Sequence, residues 1–200
     1  MPAETLLSLI GLAIAATITP GPNNTLVAAS GARFGFRATL PHVAGIGIGF
    51  PFMNFVISMG LGQVFQQSSL LREAVRISGI VILLWLAWKI ASSKGSASNT
   101  GSDRPFTLWQ SAAFQWINPK AWVMAVGITT QFVSTDATWI TSGIITAVLL
   151  ITAVLSSTTW TLFGVGMQHW LNTDNRLRAF NCAMAALILI SVLGIGLSEL

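Results

Sequence analysis

Two polar interruptions in an otherwise apolar chain carry the residues best suited to chemistry: Thr19-Pro20-Gly21-Pro22-Asn23-Asn24 and Ile117-Asn118-Pro119-Lys120-Ala121. Proline lacks a backbone donor and clashes with the preceding turn, so Pro20 and Pro22 around Gly21, and Pro119, end or break a helix and set carbonyls free. Asn23, Asn24 and Asn118 add amide donors and acceptors, and Lys120 adds a cation. Such groups hold a small zwitterion by charge and hydrogen bonds. They do not break covalent bonds: no serine–histidine pair, no paired carboxylates and no metal-ligand cluster occur at usable spacing, so neither an enzyme nor a metal or other cofactor is expected.

Each of these residues also has a plainer reading. The asparagines can serve as caps of half-helices. Lys120 can sit at the edge of a segment that starts near Asn118, its stem in lipid and its ammonium in the interface, with Phe106 to Ile117 as an interfacial half-helix. Against this, an ionisable residue inside a membrane segment defaults to function, and no segment carries a carboxylate to pair with Lys120. Its charge must therefore be hydrated, neutralised or held by carbonyls.

The elements that position these residues follow from composition. Hydrophobic residues make up 53% of the chain, charged residues 8%, and the mean hydropathy is +0.72. A soluble domain carries about 25% charged residues, so lipid rather than water is the solvent for most of this surface. The net charge of +4 is spread in twos and threes between long uncharged runs, which fits loops at a membrane surface and not a nucleic-acid patch. A span needs roughly 20 apolar residues. Six segments meet or approach that length: Thr5 to Ala32, broken at Pro20 and Pro22; Ala38 to Leu71, bent at Pro51; a third centred on Ile77 to Trp88; Phe106 to Val133, broken at Pro119; Trp139 to Gly166; and Ala179 to Leu197. The apolar start lacks a basic signal region and is kept as the first span.

The expected fold is an all-α integral membrane protein of six transmembrane helices, one membrane domain over residues 1–200. Residues 1–91 form a first three-helix repeat, the Ser- and Gly-rich stretch 92–105 a cytoplasmic linker, and 106–200 a second repeat. Loops one, three and five hold Arg33 and Arg37, then Lys89, Lys94 and Arg104, then Arg176 and Arg178, which places them in the cytoplasm and both termini in the periplasm. Two successive blocks of three spans must then be inverted repeats, with helices one and four broken in matching places. Gly45, Gly47 and Gly49 in segment two, with Gly31 and Gly35 before it, mark helix packing of the small-residue kind and not a phosphate loop. His42 and His169 are expected as interfacial polar contacts rather than as a proton relay, most of the eight tryptophans as an interfacial belt, and Cys182 as a core thiol.

With these motifs in view, the sequence resembles the LysE-type amino-acid exporters. The likeness lies in Thr19-Pro20-Gly21-Pro22-Asn23, in the glycine-spaced second segment and in Asn118-Pro119-Lys120-Ala121, and the segment layout agrees over the whole chain. Many members carry an acidic residue after the last glycine of segment two, where this chain has Gly49-Phe50, which puts carboxylate-based proton coupling there in doubt. That departure, with Pro22-Asn23-Asn24, Gly35-Phe36-Arg37 and Trp85-Leu86-Ala87-Trp88-Lys89-Ile90-Ala91, looks like the cysteine and O-acetylserine exporter branch.

The resemblance implies a secondary transporter of the bacterial inner membrane that exports small neutral amino acids such as cysteine, O-acetylserine, threonine or homoserine. The expected site joins Pro20, Gly21, Pro22, Asn23 and Asn24 to Asn118, Pro119 and Lys120, with the solute carboxylate on Lys120 and its ammonium on freed carbonyls. The alternative is a membrane scaffold or accessory subunit, in which the breaks serve packing alone. Expected partners are the lipid bilayer, the solute and a coupling ion, a proton or another; the glycine faces permit a homodimer without demanding one.

Overall fold

The computed structural model describes residues 1–92, 104–133, 138–171 and 173–197, and every regular element among them is helical. In chain order these are α1 (Ala3–Ile18), α2 (Pro22–Phe34), α3 (Phe36–Val56) running through a π turn (Ile57–Leu61) into α4 (Gly62–Gln67), and α5 (Ser69–Ala91). Then follow α6 (Leu108–Phe114) with a 3-10 turn (Gln115–Ile117), α7 (Pro119–Phe132), α8 (Thr138–Met167) and α9 (Asp174–Leu197). Apart from its ends, the linker expected at 92–105 lies outside the described residues, as does Asp136.

Four helical stretches are long and apolar enough to cross a membrane: Phe36–Leu61, Ser69–Ala91, Trp139–Met167 and Asp174–Leu193. A fifth candidate is the pair α1 and α2, bent by 55° at the first break. The remaining expected span is divided between α6 and α7, neither of which reaches the required length alone. Large apolar side chains such as Leu7, Phe52, Trp88, Ile140 and Leu193 stand exposed on the outside, a surface that suits lipid.

Local sequence explains where the helices start. Pro22 and Pro119 each stand at the first helical position after a break, where the missing N–H would have had no partner in any case. Ser68 caps α5 by accepting from the Leu71 N–H at 3.2 Å, and Thr107 with Gln110 forms a capping box on α6. Segment two has a kink beyond the proline at which a bend was expected. Pro41 and Pro51 are carried inside continuous α3, and the non-helical residue is Gly60, at φ 126° within the π turn. Only glycine adopts that φ without strain, so the chain turns there.

Helix α8 is the spine of the bundle, packed on α1, α2 and α3. Close approaches are made by glycine. Gly31 of α2 lies against the Thr161 carbonyl of α8, and Gly164 of α8 lies against the Ala28 carbonyl of α2. Gly45 and Gly49 of α3 abut Leu108, Ser111 and Ala112 of α6, whereas Gly47 abuts Val154 of α8. Gly79 of α5 abuts Pro119 and the Ile117 carbonyl at the second break. A side chain at these points would meet backbone, the Pro119 ring or, at Gly47, the branched Val154 side chain, so the helices approach this closely only where the residue is small.

Candidate functional site

The first break frees carbonyls, and nearly every one is met by a side chain from another part of the fold. The Thr17 carbonyl accepts from Asn24 Nδ2 at 2.7 Å and from Ser156 Oγ at 2.7 Å. The Ile18 carbonyl accepts from Trp160 Nε1 at 3.1 Å. The Thr19 carbonyl accepts from Asn24 Nδ2 at 3.0 Å and from Lys120 Nζ at 2.9 Å, and the Pro20 carbonyl accepts from Lys120 Nζ at 3.3 Å. In hydrocarbon an unpaired backbone group costs several kcal/mol, so a broken helix survives only with such partners. Those partners come from α2, α7 and α8, which all converge on one point.

At the second break Asn118 Oδ1 accepts from the Lys120 N–H at 3.2 Å, so this asparagine caps α7. The two breaks are also clasped to one another. Asn23 Nδ2 donates to Gln115 Oε1 at 2.8 Å, Gln115 Nε2 donates to Asn23 Oδ1 at 3.2 Å, and Gln115 Nε2 also donates to the Ser111 carbonyl at 2.9 Å. Lys120 itself runs along Gly21: a Cβ on Gly21 would come within 2.9 Å of Lys120 Cδ and Nζ. Glycine at 21 is what lets the ammonium reach the carbonyls.

A cavity of about 40 Å³ lies where these groups meet. Among the predicted residues, Gly21, Pro22, Asn23, Asn24, Asn118 and Lys120 line it. Pro20 is exposed outside the lining, and Pro119 faces away toward Gly79 of α5. Ile46 and Phe50 of α3 share the lining, about 15 and 21 Å along that helix from Phe36 at a rise of about 1.5 Å per residue. Lys120 thus sits beside the middle of α3, and Leu108 and Ser111 of the segment before it pack against Gly45 of that helix.

Several polar residues of this site were not singled out in the sequence: Gln115, Thr17, Ser156, Ser157 and Trp160. A signal existed, since each is an uncharged polar or amphipathic residue in the middle of an apolar run, but such residues also bond locally along their own helix. Trp160, Trp116 and Trp122 depart from the belt expectation. Trp160 caps the first break, and Trp122 is buried, stacked on Phe65 with ring centroids 4.2 Å apart and donating Nε1 to the Trp116 carbonyl. His42 departs from the interfacial expectation, being 1% exposed, and Cys182 is exposed rather than in the core. No group of three or more His, Cys, Asp or Glu able to hold a metal occurs among the described residues.

Comparison with known proteins gives a consistent answer. The family model for LysE type translocators matches residues 14–198. The chain is 29% identical over 174 residues to a cysteine/O-acetylserine efflux protein of Klebsiella pneumoniae, covering 86% of each chain. It is also 29% identical over 177 residues to the protein of the same description from Escherichia coli K12, covering 86% of this chain and 87% of that one. No solved structure matches the chain.

Proposed function

The chain belongs to the family of LysE-type translocators and is a multi-pass membrane protein; on that premise we propose that it is a secondary exporter of small neutral amino acids of the cysteine or O-acetylserine kind in the bacterial inner membrane. The observation that carries this reading is the cavity at the meeting of the two breaks, with Lys120 on its wall.

An ammonium has three N–H donors, and two of those on Lys120 go to the Thr19 and Pro20 carbonyls. The third is left for the carboxylate of a solute. The solute ammonium would find acceptors in Asn23 Oδ1 and Asn118, beside Ser157. No carboxylate lines the cavity, which suits a neutral zwitterion better than a cationic amino acid. The specific solute is carried by analogy with the relatives, described as cysteine/O-acetylserine efflux proteins.

About 40 Å³ holds roughly three waters, fewer than the heavy atoms of any such solute. The cavity would have to widen to load such a solute. The hinge material is at hand in the 55° bend between α1 and α2 and in the Asn118 break.

The pairing of helices supports two inverted three-helix repeats, residues 1–91 and 106–200, as the moving parts. Exchanging segment one with four, two with five and three with six carries α1 on α8 into α6 on α3 and α2 on α8 into α7 on α3, and leaves α3 on α8 and α5 on α9 as self-matched pairs. The same exchange carries α2 on α9 into α5 against the second break. With three spans in each repeat, such an exchange would run about a pseudo-two-fold axis in the membrane plane.

The test is efflux of labelled cysteine, O-acetylserine, threonine and lysine from cells overproducing the protein, and counterflow in liposomes holding the purified chain. Flux of a neutral amino acid that is lost in Lys120→Ala supports solute class and site together. Flux of none would leave the breaks with a packing role alone, as in a scaffold.

A further inference from the structure

His42 is a titratable side chain sealed inside the bundle with nothing to bond. Neither Nδ1 nor Nε2 has a hydrogen-bond partner among the described residues. Its ring stacks on Phe106 at 5.1 Å between centroids and 26° between planes, and its carbonyl accepts from Ser111 Oγ at 2.9 Å. It therefore lies in the seam between α3 and α6. Ile46, one turn further along α3, lines the solute cavity, and Gln115, one turn beyond Ser111, clasps Asn23 at the first break. The seam and the site share the same short helix.

Buried polar atoms are nearly always paired, and an orphan calls for an ion, a water or a function. An imidazolium in this setting would need water or a counter-charge beside it. Among the described residues no counter-charge stands nearby. Of the elements packed on α3, α2 carries Arg33, α7 carries Lys120, and neither α6 nor α8 carries a charged or titratable residue; Arg37 is on α3 itself, and Arg104 and His169 flank α6 and α8. All of these are basic. The described carboxylates, Glu4, Glu73 and Asp174, lie near the starts of α1, α5 and α9. Protonation of His42 thus requires water to enter between Phe106 and the imidazole, which moves α6 and, through Gln115, the site.

We propose that His42 is the proton-binding site of the transport cycle: its ring takes up a proton from the periplasmic side while the emptied site faces outward and releases it to water on the cytoplasmic side while the site faces inward, α6 parting from α3 each time, so that export of solute is exchanged for entry of a proton. The assignment rests on the exporter reading. Coupling is reciprocal, so solute binding must shift the proton affinity of His42 as much as protonation shifts solute affinity.

Two measurements test this. In proteoliposomes, His42→Gln should keep solute-for-solute counterflow of cysteine or O-acetylserine, whereas accumulation driven by an imposed pH gradient should fall by about tenfold or more, the scale of a coupling of this kind. Gradient-driven accumulation equal to wild type would overturn the proton assignment and leave the exporter standing. Absence of counterflow in wild type would sink the exporter reading, and this proposal with it. Should His42→Gln fail to fold, a His169→Gln protein leaves His42 as the only histidine, whose 15N imidazole signal can be titrated in nanodiscs with and without saturating cysteine or O-acetylserine. A titration displaced by solute is expected; one unmoved by a solute that binds would overturn the assignment.

Discussion

Gly21 and Lys120 make a pair that substitution can separate from folding. A methyl at Gly21 would meet only the flexible end of Lys120, at 2.9 Å from Cδ and Nζ, so the lysine must leave its carbonyls while the backbone stays. Gly21→Ala is expected to lower export several-fold with little change in thermal stability, read by flux and by melting of the purified protein. Lys120→Met removes the charge and the donors to Thr19 and Pro20; a lost charge-assisted hydrogen bond of about 1.5–3 kcal/mol predicts a drop in export of roughly ten- to hundredfold with insertion preserved. Asn24 acts differently. Asn24→Ala strips donors from the Thr17 and Thr19 carbonyls, and a loss of about 1–3 kcal/mol of stability should appear as a lower melting temperature. The sequence made Pro20 to Asn24 and Lys120 visible because proline and charge are conspicuous in an apolar run. It hid Gln115, Ser156 and Trp160, whose roles depend on which distant helix they face.

At the scale of elements, the short half-helices are held by glycine contacts rather than by their own length. Gly79 of α5 is the support of the second break, so Gly79→Val would press on the Pro119 ring and the Ile117 carbonyl. Overpacking of this kind costs about 1–3 kcal/mol, and both melting temperature and export should fall although no cavity-lining residue has changed. The apolar runs located the long helices: the third segment, expected around Ile77 to Trp88, is found as α5 at Ser69–Ala91. Where the chain turns was less legible. Pro51 was the natural choice for a bend, yet its ring is accommodated within α3, and the turn falls at Gly60, whose φ of 126° leaves no trace in hydropathy.

For the whole molecule, the distribution of arginine and lysine predicts that residue 92 faces the cytoplasm and that residue 67 and both termini face the periplasm. The single Cys182 makes this easy to check. In a Cys182→Ser background, cysteines placed at Ala3 and Gln67 should react with a membrane-impermeant maleimide in intact cells, and one at Ser92 only after lysis; the reverse pattern would turn the molecule over. The span count was readable from apolar length for the four unbroken helices, and only in part for the others, because a broken span is short wherever it is measured. The ammonium of Lys120, seated on the open backbone of the first break, bears further on how such a molecule behaves when it has nothing to carry. It is an amine on a tether, occupying the oxygens that a travelling amine would seek. In the exporter proposed above, that tethered amine would keep stray sodium or potassium from the same oxygens while no solute is bound.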